Sequence, residues 1–304
     1  MRLSNLLFIS GVAVVQGQTY TYSTLADLLT AQSATLSTLN TWLATQQVAF
    51  SVLSSAQGVT LLAPSNNALN QLLTSPYATT LAEDPNLLVA FLSYHAIQGV
   101  YSMSDLTSAQ GVSVPTFLDL QAYSNVSGGQ KIQSRSQNGA VTLFSGGAVQ
   151  SNVEAFDLNY LGGTVHIIDS ALTIPGTLSN TLISGGLTAA VGAFRQVNIE
   201  TSLNLASDIT IFVPTNDAFN AIGSALDSLT IEQLTKVVNY HVVQGQVLYS
   251  QLLATGSSVL TTEGRTLNVR SENGGLFVNS AKVVQSDILV SNGVVHIVDG
   301  FVPF

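Results

Sequence analysis

The stretch that decides the fold occurs twice, as VTLLAPSNNALNQL at residues 59–72 and ITIFVPTNDAFNAI at residues 209–222. The copies share Thr, Pro, Asn, Ala and Asn in one register, and most other positions exchange one apolar residue for another. Each apolar run ends at a proline, Pro64 or Pro214, which cannot extend a strand ladder, and the Ser or Thr that follows can cap a helix. The sequence therefore predicts one strand-to-helix corner used twice, in a chain built from two copies of one module.

Two further phrases repeat in the same order. SYHAIQGVYS at residues 93–102 matches NYHVVQGQVLYS at 239–250, and GGTVHIIDSALTIP at 162–175 matches NGVVHIVDGFVPF at 292–304. The first phrase follows a helical pattern and has a glycine suited to a helix stop, whereas the second is typical of a buried strand.

The spacing between the copies is not constant. It is 150 residues from Pro64 to Pro214 and falls to 130 residues from His166 to His296. The first copy therefore carries loop insertions, and we place one of them at residues 154–161.

Helical patterns come first in each copy and strand patterns come later. Leucines recur at helical spacing through residues 25–53, whereas runs such as 139–144 and 266–270 alternate or carry β-branched residues, with Gly-Gly and Asn-Gly pairs nearby that suit hairpin turns. Each copy is thus predicted to be an α+β domain. We place the domains at residues 20–175 and 177–304.

Residues 1–17 are interpreted as a signal peptide. Arg2 supplies the positive start, and the mostly apolar run at 3–15 is shorter than the roughly 20 residues that a bilayer-spanning helix needs. No later stretch is long and apolar enough to span, so we expect a secreted chain with no transmembrane segment. The sequence stops at Phe304, directly after the closing strand, so we also expect no lipid-anchor signal.

Composition excludes several classes of function. Of the 304 residues, 46% are hydrophobic and 8% are charged, which is enough apolar mass for two cores. The formal net charge is −9 and the few basic residues are scattered singly, so we predict no binding of nucleic acid, since phosphate contacts need clustered Lys and Arg. The chain has no cysteine, so each domain must be held by its core alone.

The corner, the Tyr-His phrase and the closing Val-His strand, in that order and twice over, resemble tandem fasciclin domains. The resemblance covers about residues 20–304. It implies that each domain is a wedge of about seven strands with packed helices. It also implies a non-catalytic extracellular protein that acts in cell adhesion or contacts a matrix or cell wall. The alternative is a secreted module that binds a small apolar ligand or a cell-wall glycan.

The histidines are the first candidates for chemistry. All four stand at repeat-equivalent positions, which favours a structural role in the shared scaffold: His95, His166, His241 and His296. No two of them lie close in sequence, so we predict no metal site and no cofactor. The sequence also lacks a G-x-S-x-G elbow, a phosphate-binding loop and an H-E-x-x-H helix, so we predict that the protein is not an enzyme.

The resemblance also implies an adhesion site. In animal relatives the Tyr-His phrase and an Asp-Ile pair before the last strand are linked to integrin engagement. The matching residues here are Tyr240, His241, Asp287 and Ile288. The first copy has Asn-Val at 152–153 where we expect the Asp-Ile pair, so the site is assigned to the second copy, with a cell-surface, matrix or cell-wall protein or glycan as partner. Tyr-His at the end of a helix is also typical of buried packing.

The corner asparagines Asn66 and Asn216 are shared by both copies. An unpaired buried polar side chain costs about 1 to 3 kcal/mol, so we expect both residues to be largely buried and bonded to backbone.

One N-x-Ser/Thr sequon occurs in the chain, at Asn125-Val126-Ser127. It directly precedes Gly128-Gly129, so we predict a glycosylated Asn125 at the tip of a hairpin.

Overall fold

The computed structural model describes residues 13–15, 18–20, 22–46, 51, 53–108, 111–137 and 139–302. These residues form two compact units. The first comprises the described residues of 1–118, 132–144 and 150–172, and the second comprises those of 119–131, 145–149 and 173–304. Most of the interpreted signal peptide lies outside the described residues, apart from β1 (Ala13–Val15), which pairs with β2 (Gln18–Tyr20).

The first repeat contains one sheet of seven strands. Its strands are β3 (Val59–Pro64), β4 (Ala96–Gln98), β5 (Val112–Pro115), β6 (Lys131–Gln137), β7 (Ala140–Phe144), β8 (Gln150–Tyr160) and β9 (Gly163–Ile168). Their order is β4-β3-β9-β8-β7-β6-β5, and β3 runs parallel to β9. The helices are Leu25–Ala31, Ser33–Thr45, Asn66–Leu73, Pro76–Glu83 and Pro85–Tyr94, with a 3-10 turn at Gly146–Ala148.

The second repeat has the same topology. Its strands are β10 (Ile209–Pro214), β11 (Val242–Gln244), β12 (Ser257–Leu260), β13 (Thr266–Glu272), β14 (Gly275–Val278), β15 (Ala281–Val290) and β16 (Gly293–Val298), in the order β11-β10-β16-β15-β14-β13-β12. The helices are Leu178–Ser184, Thr188–Gln196, Glu200–Leu205, Asn216–Ala221, Gly223–Asp227, Ile231–Tyr240 and Ser250–Leu253. The predicted fold class, α+β with two tandem seven-stranded domains, is confirmed. None of the described helices has the length and apolarity that a membrane crossing requires.

The predicted strand-to-helix corner forms in both repeats. Strands β3 and β10 are buried at all six positions, as befits a strand that is covered on both faces. After each proline a hydroxyl caps the next helix: Ser65 Oγ accepts from the amide of Ala68 at 3.3 Å, and Thr215 Oγ1 accepts from that of Ala218 at 3.1 Å. The cap and the proline together end the strand and start the helix.

The corner asparagines bond to backbone, as expected, and both are partly buried. Asn66 Oδ1 accepts from the amide of Thr38 at 2.8 Å. Asn216 Oδ1 accepts from Ala189 N at 3.2 Å and its amide donates to Gly186 O at 2.7 Å. Each asparagine ties its helix to an earlier helical segment near the surface, which is why part of its side chain stays in contact with solvent.

The closing strands correct the predicted position of the insertion. Val153 pairs with Ile168 as Val283 pairs with Val298, and the pairing continues at the same offset of 130 residues to the turn. Residues 154–160 belong to strand β8, so the insertion assigned to 154–161 is wrong. A register shift within β8 interrupts the alternation of apolar and polar residues there. In the sequence, that interruption looks like a loop.

Most of the extra residues of the first repeat lie in two connections. Residues 116–130 join β5 to β6, where the second repeat uses only 261–265, and residues 145–149 join β7 to β8, where the second repeat uses 279–280. Most of these residues group with the second unit.

Backbone hydrogen bonding joins the two ends of each sheet. In the first repeat Phe117 N donates to Ala96 O at 2.9 Å, and in the second Thr262 N donates to Val242 O at 2.9 Å. These bonds make Phe117 and Thr262 repeat-equivalent, and they leave less of each end strand free to pair with another chain.

Candidate functional site

His95 is a buried part of the scaffold. Its Nδ1 lies 2.8 Å from Phe91 O, and its Nε2 accepts from the amide of Leu172 at 2.9 Å. The acceptor role of Nε2 places the proton on Nδ1, which donates to the carbonyl. Burial lowers the pKa of His95 to about 4, so the ring is neutral near neutral pH.

His241 makes the same two bonds in the second repeat. Its Nδ1 lies 2.8 Å from Val237 O, and its Nε2 accepts from Val302 N at 3.0 Å. Burial lowers its pKa to about 4 as well. Both histidines therefore join the end of a helix to the segment that follows the last strand, which explains their recurrence.

The second pair of histidines, His166 and His296, is also buried and hydrogen-bonded to backbone. The Nε2 atoms lie 2.8 Å from the carbonyl oxygens of Tyr101 and Leu248 respectively. Burial lowers the pKa of both rings. These bonds support the structural role predicted for all four histidines.

The Nδ1 atoms of this second pair accept backbone amides from a repeated aspartate. Asp157 N lies 3.2 Å from His166, and Asp287 N lies 3.4 Å from His296. Both aspartates have positive φ angles, 56° and 63°, at the register shift of β8 and β15. The bulge turns their carboxylates toward another part of the backbone.

Asp157 is thus the equivalent of Asp287, and the assignment of Asn-Val at 152–153 to this position is wrong. In the second repeat Oδ1 accepts from Ser250 N at 2.7 Å and Oδ2 accepts from the Ser250 hydroxyl. In the first repeat Oδ1 accepts from Met103 N at 2.8 Å. The constant offset of 130 residues, already visible at the last histidine, is the sequence signal that would have found Asp157.

The residues assigned to the adhesion site are buried. Their exposed fractions are 2% for Tyr240, 4% for His241, 8% for Asp287 and 9% for Ile288. The Tyr240 hydroxyl donates to Thr266 O at 3.1 Å, whereas Asp287 bonds to Ser250 as described. The structure therefore does not support these side chains as a contact surface for a partner, and buried packing accounts for them.

The sequon lies in the long 116–130 connection rather than at the tip of a hairpin. Within the second unit, the half-exposed Asn125 donates from Nδ2 to Leu205 O at 3.2 Å. The Ser127 amide and hydroxyl donate to the Asp208 carboxylate at 2.7 and 2.5 Å. The prediction of a hairpin tip is wrong because an inserted loop, not a two-residue turn, separates the strands.

Beside His241 the space between helices and sheet is nearly filled. The cavity there has a volume of about 20 Å³, and apolar side chains such as Phe194, Phe212 and Phe219 line it. This volume holds about one water molecule, far less than an organic ligand needs.

A cleft of about 440 Å³ lies elsewhere in the second repeat, between helix Glu200–Leu205 and strand β11. Four uncharged polar side chains and six apolar ones line it, among them Ser202, Leu205, Ile209, Asn239, Gln244 and Thr262. Sequence reasoning missed this cleft because its lining comes from separate segments that only the fold brings together.

Metal ligands do not converge in the described part of the chain. No group of three or more His, Asp or Glu side chains there could hold a metal ion.

The comparisons with known proteins follow the same division of the chain. The family model for the fasciclin domain matches residues 34–175 and 185–302. A fasciclin-like arabinogalactan protein of Arthroderma benhamiae is 32% identical over 96% of this chain and 69% of its own length. Fasciclin-like arabinogalactan protein CTB11 of Cercospora beticola is 33% identical over 79% of this chain and 66% of its own length.

More distant matches include human periostin, which is 26% identical over 79% of this chain and 27% of its own length. Among solved structures, a FAS1 domain pair from the insect cell adhesion molecule Fasciclin I aligns with a TM-score of 0.42 and 20% identity, over 85% of this chain and 93% of that one. The chain spans about two thirds of the two fasciclin-like arabinogalactan proteins. On the sequence matches, which cover nearly all of both repeats, this chain belongs to the fasciclin domain family.

Proposed function

We propose that this protein is an extracellular, non-catalytic adhesion protein that contacts cell-surface, matrix or cell-wall components through the surfaces of its two fasciclin domains. The observation that carries the proposal is the tandem match, because residues 34–175 and 185–302 leave little of the chain for any other module. Relatives named fasciclin-like arabinogalactan protein and periostin share this domain.

The arrangement of titratable groups supports a non-catalytic role. The four histidines are buried and bonded to backbone, so they are not free to transfer protons to a substrate. The nearly filled space beside His241 supports surface contact over binding of an apolar ligand inside the second domain.

Secretion is the second part of the proposal, and the signal-peptide pattern of residues 1–17 supports it. N-terminal sequencing of protein collected from the culture medium should give a mature start near Gln18. A mature protein that retains Arg2 would contradict secretion by this route.

Retention on native material tests the adhesion proposal. The full chain is mixed with a cell-wall or extracellular-matrix fraction of its source, washed at physiological ionic strength and quantified. A secreted protein of similar pI from another family is the control. We expect saturable retention of this chain above that control, and equal recovery of both proteins in the wash would contradict the proposal.

A further inference from the structure

The 440 Å³ cleft of the second repeat has the size of a small-molecule site, since such sites occupy about 300 to 1,000 Å³. One wall is the helix Glu200–Leu205 with the residues beside it, and the other combines strand β11 with Asn239, near the end of helix Ile231–Tyr240, and Thr262, in the connection after β12. The amide of Thr262 donates to Val242 O, the hydrogen bond that joins the two ends of the sheet.

Two carboxamides in the lining can exchange hydrogen bonds to water for hydrogen bonds to a ligand. Neither the Asn239 nor the Gln244 side chain forms a hydrogen bond to the described residues. Gln244 is exposed and Asn239 is half-buried. The hydroxyls differ, because Ser202 Oγ donates to Ile199 O and Thr262 Oγ1 donates to Asn239 O, so each retains only its acceptor capacity.

The chemistry of the lining selects a neutral, hydroxylated ligand. None of the lining residues is ionisable, so a charged ligand would lose its hydration without gaining a counter-charge. A carboxamide offers both a donor and an acceptor, which matches the two roles of a sugar hydroxyl. The exposed side chain of Leu205 can cover the C–H face of a sugar ring.

The first repeat differs from the second at the positions equivalent to Asn239, Gln244 and Thr262. Its Gln98, equivalent to Gln244, donates to Thr116 O at 2.6 Å and so is engaged. Phe117 occupies the position of Thr262, and Ser93 occupies that of Asn239. A pair of carboxamides without a protein partner is therefore a property of the second repeat.

We propose that this cleft binds a neutral glycan. The inference rests on the proposed function and narrows its partner to the uncharged sugars of a wall or matrix, or of a glycoprotein. A second source of the same chemistry lies in the chain itself, because Asn125 of the sequon donates to the carbonyl of Leu205, a lining residue. An N-linked glycan on Asn125 would begin beside the cleft.

Calorimetric titration of the full chain with neutral oligosaccharides of glucose, mannose, galactose and N-acetylglucosamine tests the proposal. Oligogalacturonate serves as a charged probe. The Asn125→Gln protein is titrated alongside the wild type, because it separates free glycan from the chain's own. We expect saturable binding of at least one neutral oligosaccharide to Asn125→Gln and none of oligogalacturonate. Binding to the wild type only after glycosidase treatment would support the cleft and identify the chain's own glycan as its occupant.

Variants locate the binding within the molecule. Thr262→Phe copies the residue that the first repeat carries at this position and should lower the association constant by roughly tenfold or more. Gln244→Ala should lower it by about threefold or more, whereas Gln246→Ala, outside the lining, and Phe117→Thr, in the first repeat, should leave it unchanged. Thermal melts check that each variant is folded.

Two results would overturn the proposal: no saturable binding of a neutral oligosaccharide to Asn125→Gln, or unchanged affinity in folded Thr262→Phe. Retention on wall or matrix material is measured on the same proteins. Retention without oligosaccharide binding would contradict the cleft proposal and leave the adhesion proposal standing. Oligosaccharide binding without retention would contradict the adhesion proposal and leave the cleft proposal standing.

Discussion

The backbone amide of Asp287 lies 3.4 Å from Nδ1 of His296, and the carboxylate of the same aspartate accepts from Ser250. Asp157 and His166 repeat this relationship in the first repeat. One bulged residue thus joins the last two strands to the start of a distant segment. In the second repeat this residue is Asp287, whose side chain the family resemblance assigned to contact with a partner.

Removal of this carboxylate should destabilise the second domain. Asp287→Ala leaves the Ser250 amide and hydroxyl without their acceptor, and hydrogen bonds to charged groups contribute about 1.5 to 3 kcal/mol. We expect the free energy of unfolding in urea to fall by roughly that amount. Asp119→Ala, at an exposed position of the same unit, is the matched control. Equal stability of the two variants would show that the bulge does not depend on the carboxylate.

Stability should decrease as the pH falls from about 6.5 to about 4. Burial lowers the pKa of His95 and His241 to about 4 in the folded state, whereas an unfolded histidine has a pKa near 6.5. The unfolded chain therefore binds protons first, and each ring lowers the free energy of unfolding by up to roughly 3 kcal/mol across this window. Urea unfolding at several pH values measures the slope.

The control for this pH dependence is His241→Gln, which should unfold with a shallower slope between pH 4 and 6.5 because one titrating ring is gone. Histidine ring resonances in NMR spectra report the same property directly. Titration of both rings with midpoints near 6.5 in the folded protein would rule out the explanation by burial.

Asn216→Leu should lower the melting temperature of the second domain. The substitution removes the acceptor for the Ala189 amide and the donor to Gly186 O, at a cost of about 1 to 3 kcal/mol if those groups stay buried. Asn220→Leu, at an exposed position of the same helix, is the control. Calorimetric melting of both variants checks the prediction, which fails if their curves coincide.

Asn125 should carry an N-linked glycan in protein secreted by a eukaryotic cell. In the folded second unit its amide and the Ser127 hydroxyl are both hydrogen-bonded, so the glycan must be attached before Leu205 and Asp208 pack against the sequon. Intact-mass spectrometry before and after glycosidase treatment measures occupancy. We expect a mass loss in the wild type and none in Asn125→Gln. A mass loss that persists in the variant would place the glycan elsewhere.

The order of elements could be predicted from the sequence because local rules decide it. The apolar run before Pro64, the capping Ser65 and the same pattern at Pro214 act over a few residues, so their meaning does not depend on the rest of the chain. The repetition of these signals, with the Tyr-His and closing phrases, was enough to establish the two-domain α+β fold.

The sites depended on contacts that are distant in sequence. The burial of Tyr240 and Asp287 comes from side chains and backbone on other elements, and the equivalence of Asp157 and Asp287 comes from strand register. The alternation of apolar and polar residues no longer predicts the pairing register of a strand after a bulge has shifted it.

By itself, the sequence determined the two-fold repetition, the helix-first order and the α+β class of this protein, because short-range periodicity, caps and prolines encode them. Only the tertiary structure decided that the Tyr-His and Asp-Ile pairs are buried, that Asn125 lies in a long inserted loop, and that Asn239 and Gln244 share a cleft. Exposure and proximity are properties of the assembled surface, and residues 80 or more positions apart, such as Asn125 and Leu205, meet only after both segments have folded.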